Sequence, residues 1–205
     1  MKNLQKITIL IVLFLSSCKE QNQFILNENF DSNSLGWVEE TTGYHDVKID
    51  SGFCFLASLD TASTTYYSSI GSLDKSYLYS LPNSFKISTK IKLLENNLED
   101  AYFGVFLYGA SLKYSFLVYK SGKVDVTEYD YNSEIERNLI TGDSQFEIKN
   151  EVVLNIEMEN KKLYFSIDDY EFGETEVKVH GWQEIRLFTS KQSKISIDYL
   201  KISPQ

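Results

Sequence analysis

An alternation of apolar and polar side chains over residues 85–93 is the feature that most constrains this chain. Its odd-numbered positions are apolar or threonine, and its even-numbered positions carry three lysines and a serine. Because successive side chains of a β-strand point to opposite faces, this two-residue period predicts a strand with one buried and one solvent-facing side. The chain therefore contains at least one sheet that covers a core with a single face.

Three more strand-like segments follow at residues 102–108, 114–119 and 124–129, separated by turn-forming residues such as Gly109 and Gly122. The first two are apolar or aromatic at both parities, which is expected of interior strands covered on both faces or carrying an aromatic outer surface. Residues 85–131 thus predict a meander of four consecutive strands.

The rest of the chain has the same character. Residues 132–144 are polar and are predicted to be a loop, residues 73–81 are ambiguous, and residues 93–101 could form only a turn of helix. Further strands are predicted at 24–30, 47–50, 53–57, 66–67, 151–158, 162–167, 182–188 and 194–202. About a dozen short strands without a convincing helix predict an all-β fold, either a sandwich or a barrel with two sheets.

The amino terminus has the pattern of a targeting segment. Lys2 and Lys6 precede a predominantly apolar run at residues 7–15. Nine residues span only about 14 Å as a helix, well short of the ~30 Å hydrocarbon core of a bilayer. Residues 1–17 are therefore predicted to be a signal peptide.

The sequence Leu15-Ser16-Ser17-Cys18 resembles the lipobox of bacterial lipoproteins, in which the cysteine becomes the lipidated first residue of the mature chain. This resemblance implies lipidation of Cys18, a polar tether at 18–23 and a folded domain at 24–205. It places the protein in the cell envelope, anchored in the outer membrane by lipid, and Lys19-Glu20 resembles a surface-export signal. Ordinary secretion with an unmodified Cys18 is the alternative.

Charge and cysteine content narrow the functions further. Removal of residues 1–17 would change the formal charge from −9 to −11, which argues against nucleic acid because Lys and Arg supply most of that affinity. With Cys18 lipidated, Cys54 has no disulfide partner. It lies in an apolar run and is predicted to be a small buried residue rather than a catalytic thiol.

Six segments of the chain follow one another in a recognisable order, at residues 30–37, 85–93, 103–106, 114–118, 162–168 and 197–202. Their order and spacing resemble the concanavalin A-like lectin/glucanase superfamily, also called laminin G-like jelly rolls. The resemblance spans nearly the whole mature chain. It implies a two-sheet antiparallel β-sandwich of the jelly-roll type, in which the first and last strands lie side by side, with Phe30 near Leu200.

Glucanases of that superfamily carry two glutamates flanking an aspartate on one strand, which matches the need for paired carboxylates about 5 Å apart. Glu-x-Asp-x-Glu does not occur in this sequence. Asp125 and Glu128 should point to opposite faces of their strand, and Glu134 and Glu136 fall in the predicted loop. No catalytic residue is therefore predicted.

Histidines and oxygen donors are the candidate metal ligands in this sequence. A metal site built on the only two histidines, His45 and His180, would need carboxylates whose position the sequence does not specify, and no serine lies in a Gly-x-Ser-x-Gly context. Related sandwiches often hold a structural calcium ion through oxygen donors, which suit Ca²⁺. The resemblance places the corresponding donors at Asn29 or Asp31, Gly52 and Asp198.

Aromatic residues are abundant, with 14 tyrosines, 13 phenylalanines and two tryptophans. Sandwich proteins bind sugars by stacking flat rings on the apolar face of a pyranose, with polar neighbours for the hydroxyls. The alternative is packing, since tyrosine is a good strand former. The candidate ligand-binding residues are Tyr102, Tyr108, Tyr114, Tyr119, Tyr129, Tyr131 and Trp182.

These observations predict a non-catalytic envelope lipoprotein that binds carbohydrate or another extracellular polymer through an aromatic sheet face. Two alternatives remain open. One is a structural or protein-interaction lipoprotein with an envelope protein as partner. The other is a glycoside hydrolase with rearranged carboxylates.

Overall fold

The computed structural model describes residues 25–33, 35–37, 39–59, 81–96, 98–143, 148, 151–179 and 181–205. Within these ranges the regular structure consists entirely of β-strands. They are β1 (Leu26–Glu28), β2 (Glu40–Thr41), β3 (His45–Asp50), β4 (Phe53–Ser58), β5 (Phe85–Asn96), β6 (Tyr102–Gly109), β7 (Leu112–Tyr119), β8 (Lys123–Asp130), β9 (Ile135–Asp143), β10 (Glu151–Glu159), β11 (Lys162–Ile167), β12 (Tyr170–Glu176), β13 (Trp182–Thr189) and β14 (Ser193–Pro204). The predicted all-β class is confirmed.

One sheet contains nine of these strands, in the order β12-β11-β10-β5-β14-β4-β3-β2, with β1 also paired to β14. All of its pairings are antiparallel, and β1 places Glu28 opposite Leu200. The expected neighbourhood of the first and last strands is therefore confirmed. The predicted hairpin between β3 and β4 is also present, and Ser51 and Gly52 at its turn have φ values of 55° and 81°.

The second sheet has five strands in the order β13-β6-β7-β8-β9. Three strands of the predicted meander, β6, β7 and β8, are interior strands here, and for β6 and β7 this agrees with their apolar residues at both parities. The remaining strand of the predicted meander, β5, is not part of this five-stranded sheet. β5 lies between β10 and β14 in the nine-stranded sheet, so the prediction of one continuous meander is wrong. Its one-sided alternation fits a sheet whose other face meets solvent.

The predicted loop at residues 132–144 is also wrong, because β9 occupies Ile135–Asp143 at the edge of the five-stranded sheet. An edge strand can be polar on both sides, since neither face must be fully buried there. β5 continues through Asn96 in place of a helical turn, and β12 forms a further edge strand that the sequence did not suggest. The predictions for Cys18, His180, residues 66–67 and most of 73–81 lie outside the described residues.

The core lies between the inner faces of the two sheets. Phe116 of β7 meets Phe165 of β11 with ring centroids 5.3 Å apart, and Phe85 of β5 meets Trp182 of β13 at 6.2 Å. Cys54 is a free, fully buried cysteine, as predicted. Burial raises the pKa of its thiol to about 12. It therefore packs as a small apolar side chain.

Candidate functional site

Five of the seven predicted aromatic residues lie on or beside the outer face of the five-stranded sheet. Tyr102 of β6 stands opposite Tyr119 of β7, with ring centroids 5.3 Å apart. Tyr108 and Tyr129 belong to one row across the sheet, on either side of Lys113. The ring of Tyr131, just beyond β8, packs edge-on against Tyr129 at 5.0 Å. We call this set the tyrosine face: Tyr102, Tyr108, Tyr119, Tyr129 and Tyr131.

The other two predicted residues, Tyr114 and Trp182, point the opposite way. They lie in the core, 1% and 5% exposed, and their rings contact each other at 6.0 Å. Tyr114 has the same strand parity as Leu112 and Phe116, which also face inward. Neither ring shares a surface with the tyrosine face, so the structure does not bring these two into a common platform with the other five.

Two phenylalanines that sequence reasoning missed form an apolar layer among the tyrosines. Phe106 and Phe188 stack in parallel with centroids 3.8 Å apart, and both are buried although they belong to the outer face. Tyr102 lies edge-on to Phe188, and Tyr108 lies edge-on to Phe106. The sequence indicated Phe106 only through the apolar side chains at both parities of residues 102–108.

Gly104 makes this packing possible. A Cβ at this position would lie 1.8 Å from the backbone oxygen of Phe116 and 3.1 Å from the ring of Phe188. Any side chain here would therefore force the strand or the phenylalanine layer to move. The glycine is required by the close approach and not by its φ angle.

A cation lies over the ring of three of the tyrosines. Lys123 Nζ is 4.9 Å from the centroid of Tyr119, and the Arg186 guanidinium carbon is 4.7 Å from that of Tyr108. Lys113 Nζ is 5.5 Å from the centroid of Tyr129. Burial lowers the pKa of Lys113, and the positive charge of Arg186 adds to the effect. The face therefore combines aromatic surface with hydrogen-bond donors.

Asp125 of β8 is a buried carboxylate on this same outer face. Its side chain is 8% exposed, and its Oδ2 accepts a hydrogen bond from Lys123 Nζ at 2.6 Å. The neighbouring outward positions of β8 are Lys123 and Thr127, so no second carboxylate of this strand faces the same way. Burial raises the pKa of the nearby Tyr119 to about 12, and Asp125 contributes to that rise.

Glu128 faces the interior, opposite to Asp125, as its parity indicated. It is 2% exposed and accepts hydrogen bonds from Tyr114 Oη at 3.0 Å, Arg137 Nη1 at 3.3 Å and Lys178 Nζ at 3.4 Å. Its position makes it a structural residue that ties β7, β8 and β9 to the segment before β13.

The other carboxylates considered earlier are exposed. Glu134 lies in a turn, and Glu136 lies on β9, where it accepts a hydrogen bond from Thr127 Oγ1 at 3.2 Å. His45 is bonded to Glu40 and Thr42. Among the described residues there is no group of three or more His, Cys, Asp or Glu side chains that could hold a metal ion.

The predicted calcium ligands come together only in part. Asn29 Nδ2 donates to Asp31 Oδ2 at 2.6 Å, and Asp31 Oδ1 lies 3.4 Å from where a Cβ of Gly52 would be. Asp198 instead forms an ion pair with Lys90 at 3.4 Å. A carboxylate facing an ammonium group is a poor ligand for a cation, so the donor set does not fit a calcium ion well.

Cavities of about 400, 470 and 460 Å³ lie elsewhere, at strand ends and turns of the nine-stranded sheet. None of their lining residues belongs to the tyrosine face. In the part of the chain that is described, no helix is long and apolar enough to cross a bilayer.

Comparisons with known proteins give matches in structure alone. No family model matches the sequence, and no curated protein matches it. A structure from work on endo-acting O-glycanases, with which prominent members of the human gut microbiota initiate mucin breakdown, has a TM-score of 0.65 at 10% identity over 89% of this chain and 100% of that chain. The chain has the concanavalin A-like jelly-roll fold.

Two further solved structures are similar. The β-glucanase of Bacillus licheniformis has a TM-score of 0.61 at 9% identity, covering 88% of this chain and 98% of that one. The CBM2 module of the evolved Dit protein of Lactobacillus casei BL23 phage J-1 has a TM-score of 0.59 at 12% identity, covering 88% and 95%. At these identities the similarity shows the jelly-roll fold alone, since one fold can host many functions.

Proposed function

We propose that this chain is a non-catalytic, lipid-anchored protein of the cell envelope that binds carbohydrate, or an extracellular polymer of similar chemistry, through its tyrosine face. The observation that carries the proposal is the grouping of five tyrosines with the cationic side chains of Lys113 and Arg186 on one outer sheet face. Stacking surface beside hydrogen-bond donors is what a hydroxyl-rich ring with an apolar side requires.

The similar structures support this choice of ligand class. They include β-glucanases and a module named CBM2, all with the same jelly-roll fold. Because proteins of one fold can have different functions, the proposal rests on the tyrosine face.

A binding role without hydrolysis is supported by the carboxylates of β8. A retaining glycosidase needs two carboxyl groups about 5 Å apart, and an inverting one needs them about 6.5–9.5 Å apart on either side of the bond. On β8 the outward carboxylate of Asp125 has a lysine and a threonine as its neighbours, and Glu128 points into the core. Incubation of the protein with β-glucans should release no reducing ends, and release would contradict this part of the proposal.

The membrane anchor rests on the sequence pattern at Cys18. Stable anchoring requires more than one acyl chain, which a lipoprotein amino terminus supplies. When the full chain is expressed in bacteria fed a labelled fatty acid, label should enter the wild-type protein but not a Cys18→Ala variant. Labelling that survives the substitution would refute lipidation at this residue.

A glycan array tests binding, with the full-length chain purified in detergent. The wild type should bind at least one glycan, and Tyr102→Ala or Tyr119→Ala should each weaken binding by about twofold to tenfold. Tyr164→Ala is a matched control, because this partly buried tyrosine lies on the outer face of the nine-stranded sheet. Absence of binding to every glycan, or an equal loss in the control, would refute the proposed site.

A further inference from the structure

Asp125 has an unused hydrogen-bond acceptor. Its Oδ1 is buried and has no partner within hydrogen-bond geometry, although its other oxygen is bonded to Lys123 and the carboxylate is close enough to the Tyr119 hydroxyl to help raise the pKa of that phenol. Buried polar atoms are nearly always paired, because an unpaired one loses its water without compensation. An unpartnered carboxylate oxygen on an outer sheet face therefore points to a ligand that completes it.

The ammonium group of Lys123 lies beside both Asp125 and the ring of Tyr119. Lys123 Nζ lies 2.6 Å from Asp125 Oδ2 and 4.9 Å from the centre of the Tyr119 ring. The lysine side chain is 42% exposed and that of Asp125 is 8% exposed, so the ammonium group can turn to solvent, whereas the carboxylate would then need another partner. If Lys123 turns outward to solvent, a stacking ring and a carboxylate become accessible side by side.

We infer that Asp125 accepts hydrogen bonds from the hydroxyl groups of a neutral pyranose stacked on Tyr119, and that this sugar takes the place of the Lys123 side chain. The inference rests on the proposed function and names the class of glycan unit at this end of the tyrosine face. It also implies that the Lys123 side chain lies over Asp125 and Tyr119 in the free protein and moves away when the sugar binds.

The charge of Asp125 decides which sugars fit. Once Lys123 has moved away, the carboxylate of a uronic acid or a sulfate group would face Asp125 with no cation between them, which is unfavourable. Tyr119 adds no negative charge, because burial keeps the pKa of its phenol near 12. Neutral hydroxyl groups are therefore the hydrogen-bond donors that suit the carboxylate of Asp125 and the phenol of Tyr119.

The test compares variants of the full-length chain in detergent on the glycan that binds best in the array, on a polyuronate and on a glucosamine polymer. Asp125→Ala should weaken binding of the neutral glycan by about tenfold to a hundredfold, and Asp125→Asn, which keeps a neutral acceptor of the same shape, by less. Lys123→Ala should leave affinity unchanged or raise it by up to about fivefold, since the side chain that the sugar displaces is absent.

Asp143→Asn is the matched control, because this exposed carboxylate lies opposite Lys123 on β9 and the change in charge is the same. It should have no effect, and thermal melting should show that each variant is folded. Unchanged binding in Asp125→Ala, or tighter binding of the polyuronate or the glucosamine polymer than of neutral glycans, would overturn the inference and leave the proposed function intact. Failure of the wild type to bind any glycan would overturn both.

Discussion

Replacement of the buried carboxylate at Glu128 gives the sharpest test of how the sandwich is held together. Glu128 is 2% exposed and accepts hydrogen bonds from Tyr114, Arg137 and Lys178. In Glu128→Gln the charge is lost, and a side-chain NH₂ group that needs an acceptor takes the place of one carboxylate oxygen. The surrounding donors are then incompletely satisfied within a low-dielectric region.

The expected loss in the free energy of unfolding follows from how exposed each hydrogen-bond partner of Glu128 is. The bond from Tyr114, which is 1% exposed, is to a charged acceptor and should contribute about 1.5–3 kcal/mol. The cationic side chains of Arg137 and Lys178 are 50% and 57% exposed, so solvent screening leaves each ion pair about 0–1 kcal/mol. We expect Glu128→Gln to lower the free energy of unfolding by about 2–3 kcal/mol.

Urea unfolding followed by fluorescence measures this loss, and the melting temperature should fall by about 5–10 °C. Tyr114→Phe and the double variant complete a mutant cycle that isolates the hydroxyl–carboxylate pair. Glu136→Gln is the control, because this carboxylate is exposed, and it should change stability by less than about 0.5 kcal/mol. A change below that value for Glu128→Gln, or an equal loss when Arg137 or Lys178 is replaced by Met, would refute the reasoning.

Three further measurements follow from the structure. Because burial raises the pKa of Tyr114 and Tyr119 to about 12, the stability they provide is complete below the unfolded pKa of ~10 and is lost as pH rises towards 12. Ultraviolet titration should therefore show late-titrating phenols, and their number should fall by one in Tyr119→Phe. In a Cys18→Ala variant, a thiol reagent should find no reactive cysteine in the folded protein and one after denaturation; a fast-reacting thiol in the native variant would contradict the burial of Cys54. The melting temperature should agree within about 1 °C in calcium and in EGTA, since a bound ion would raise it.

The fold was predictable because alternation is a direct consequence of strand geometry. Residues 85–93 have one apolar face and form β5, and the segments that are apolar at both parities are interior strands of the five-stranded sheet. Assignment of strands to sheets was not predictable in the same way. β5 and β6 follow one another in the chain but belong to different sheets, and the two-residue period does not specify which partner a strand pairs with.

Edge strands were the other elements that could not be predicted from the sequence. β9 and β12 are polar and largely exposed, so they lack the apolar period that identifies interior strands. Their backbone hydrogen bonds are supplied by the neighbouring strand, and this pairing is a tertiary effect. A polar segment next to a strong strand is thus ambiguous between a loop and an edge strand.

Parity separates the binding candidates from the core aromatics, and it does so more sharply than residue type. Tyr114 and Tyr119 lie on the same strand, yet one is fixed in the core beside Glu128 and the other lies on the outer face beside Asp125. An odd number of positions between two residues of a regular strand keeps them on one face, and an even number places them on opposite faces. Four residues separate these two tyrosines, so their opposite orientation could be read from the sequence once β7 was recognised. The same rule separates Asp125 from Glu128, so that Asp125 lies on the outer face of β8 and Glu128 lies in the core.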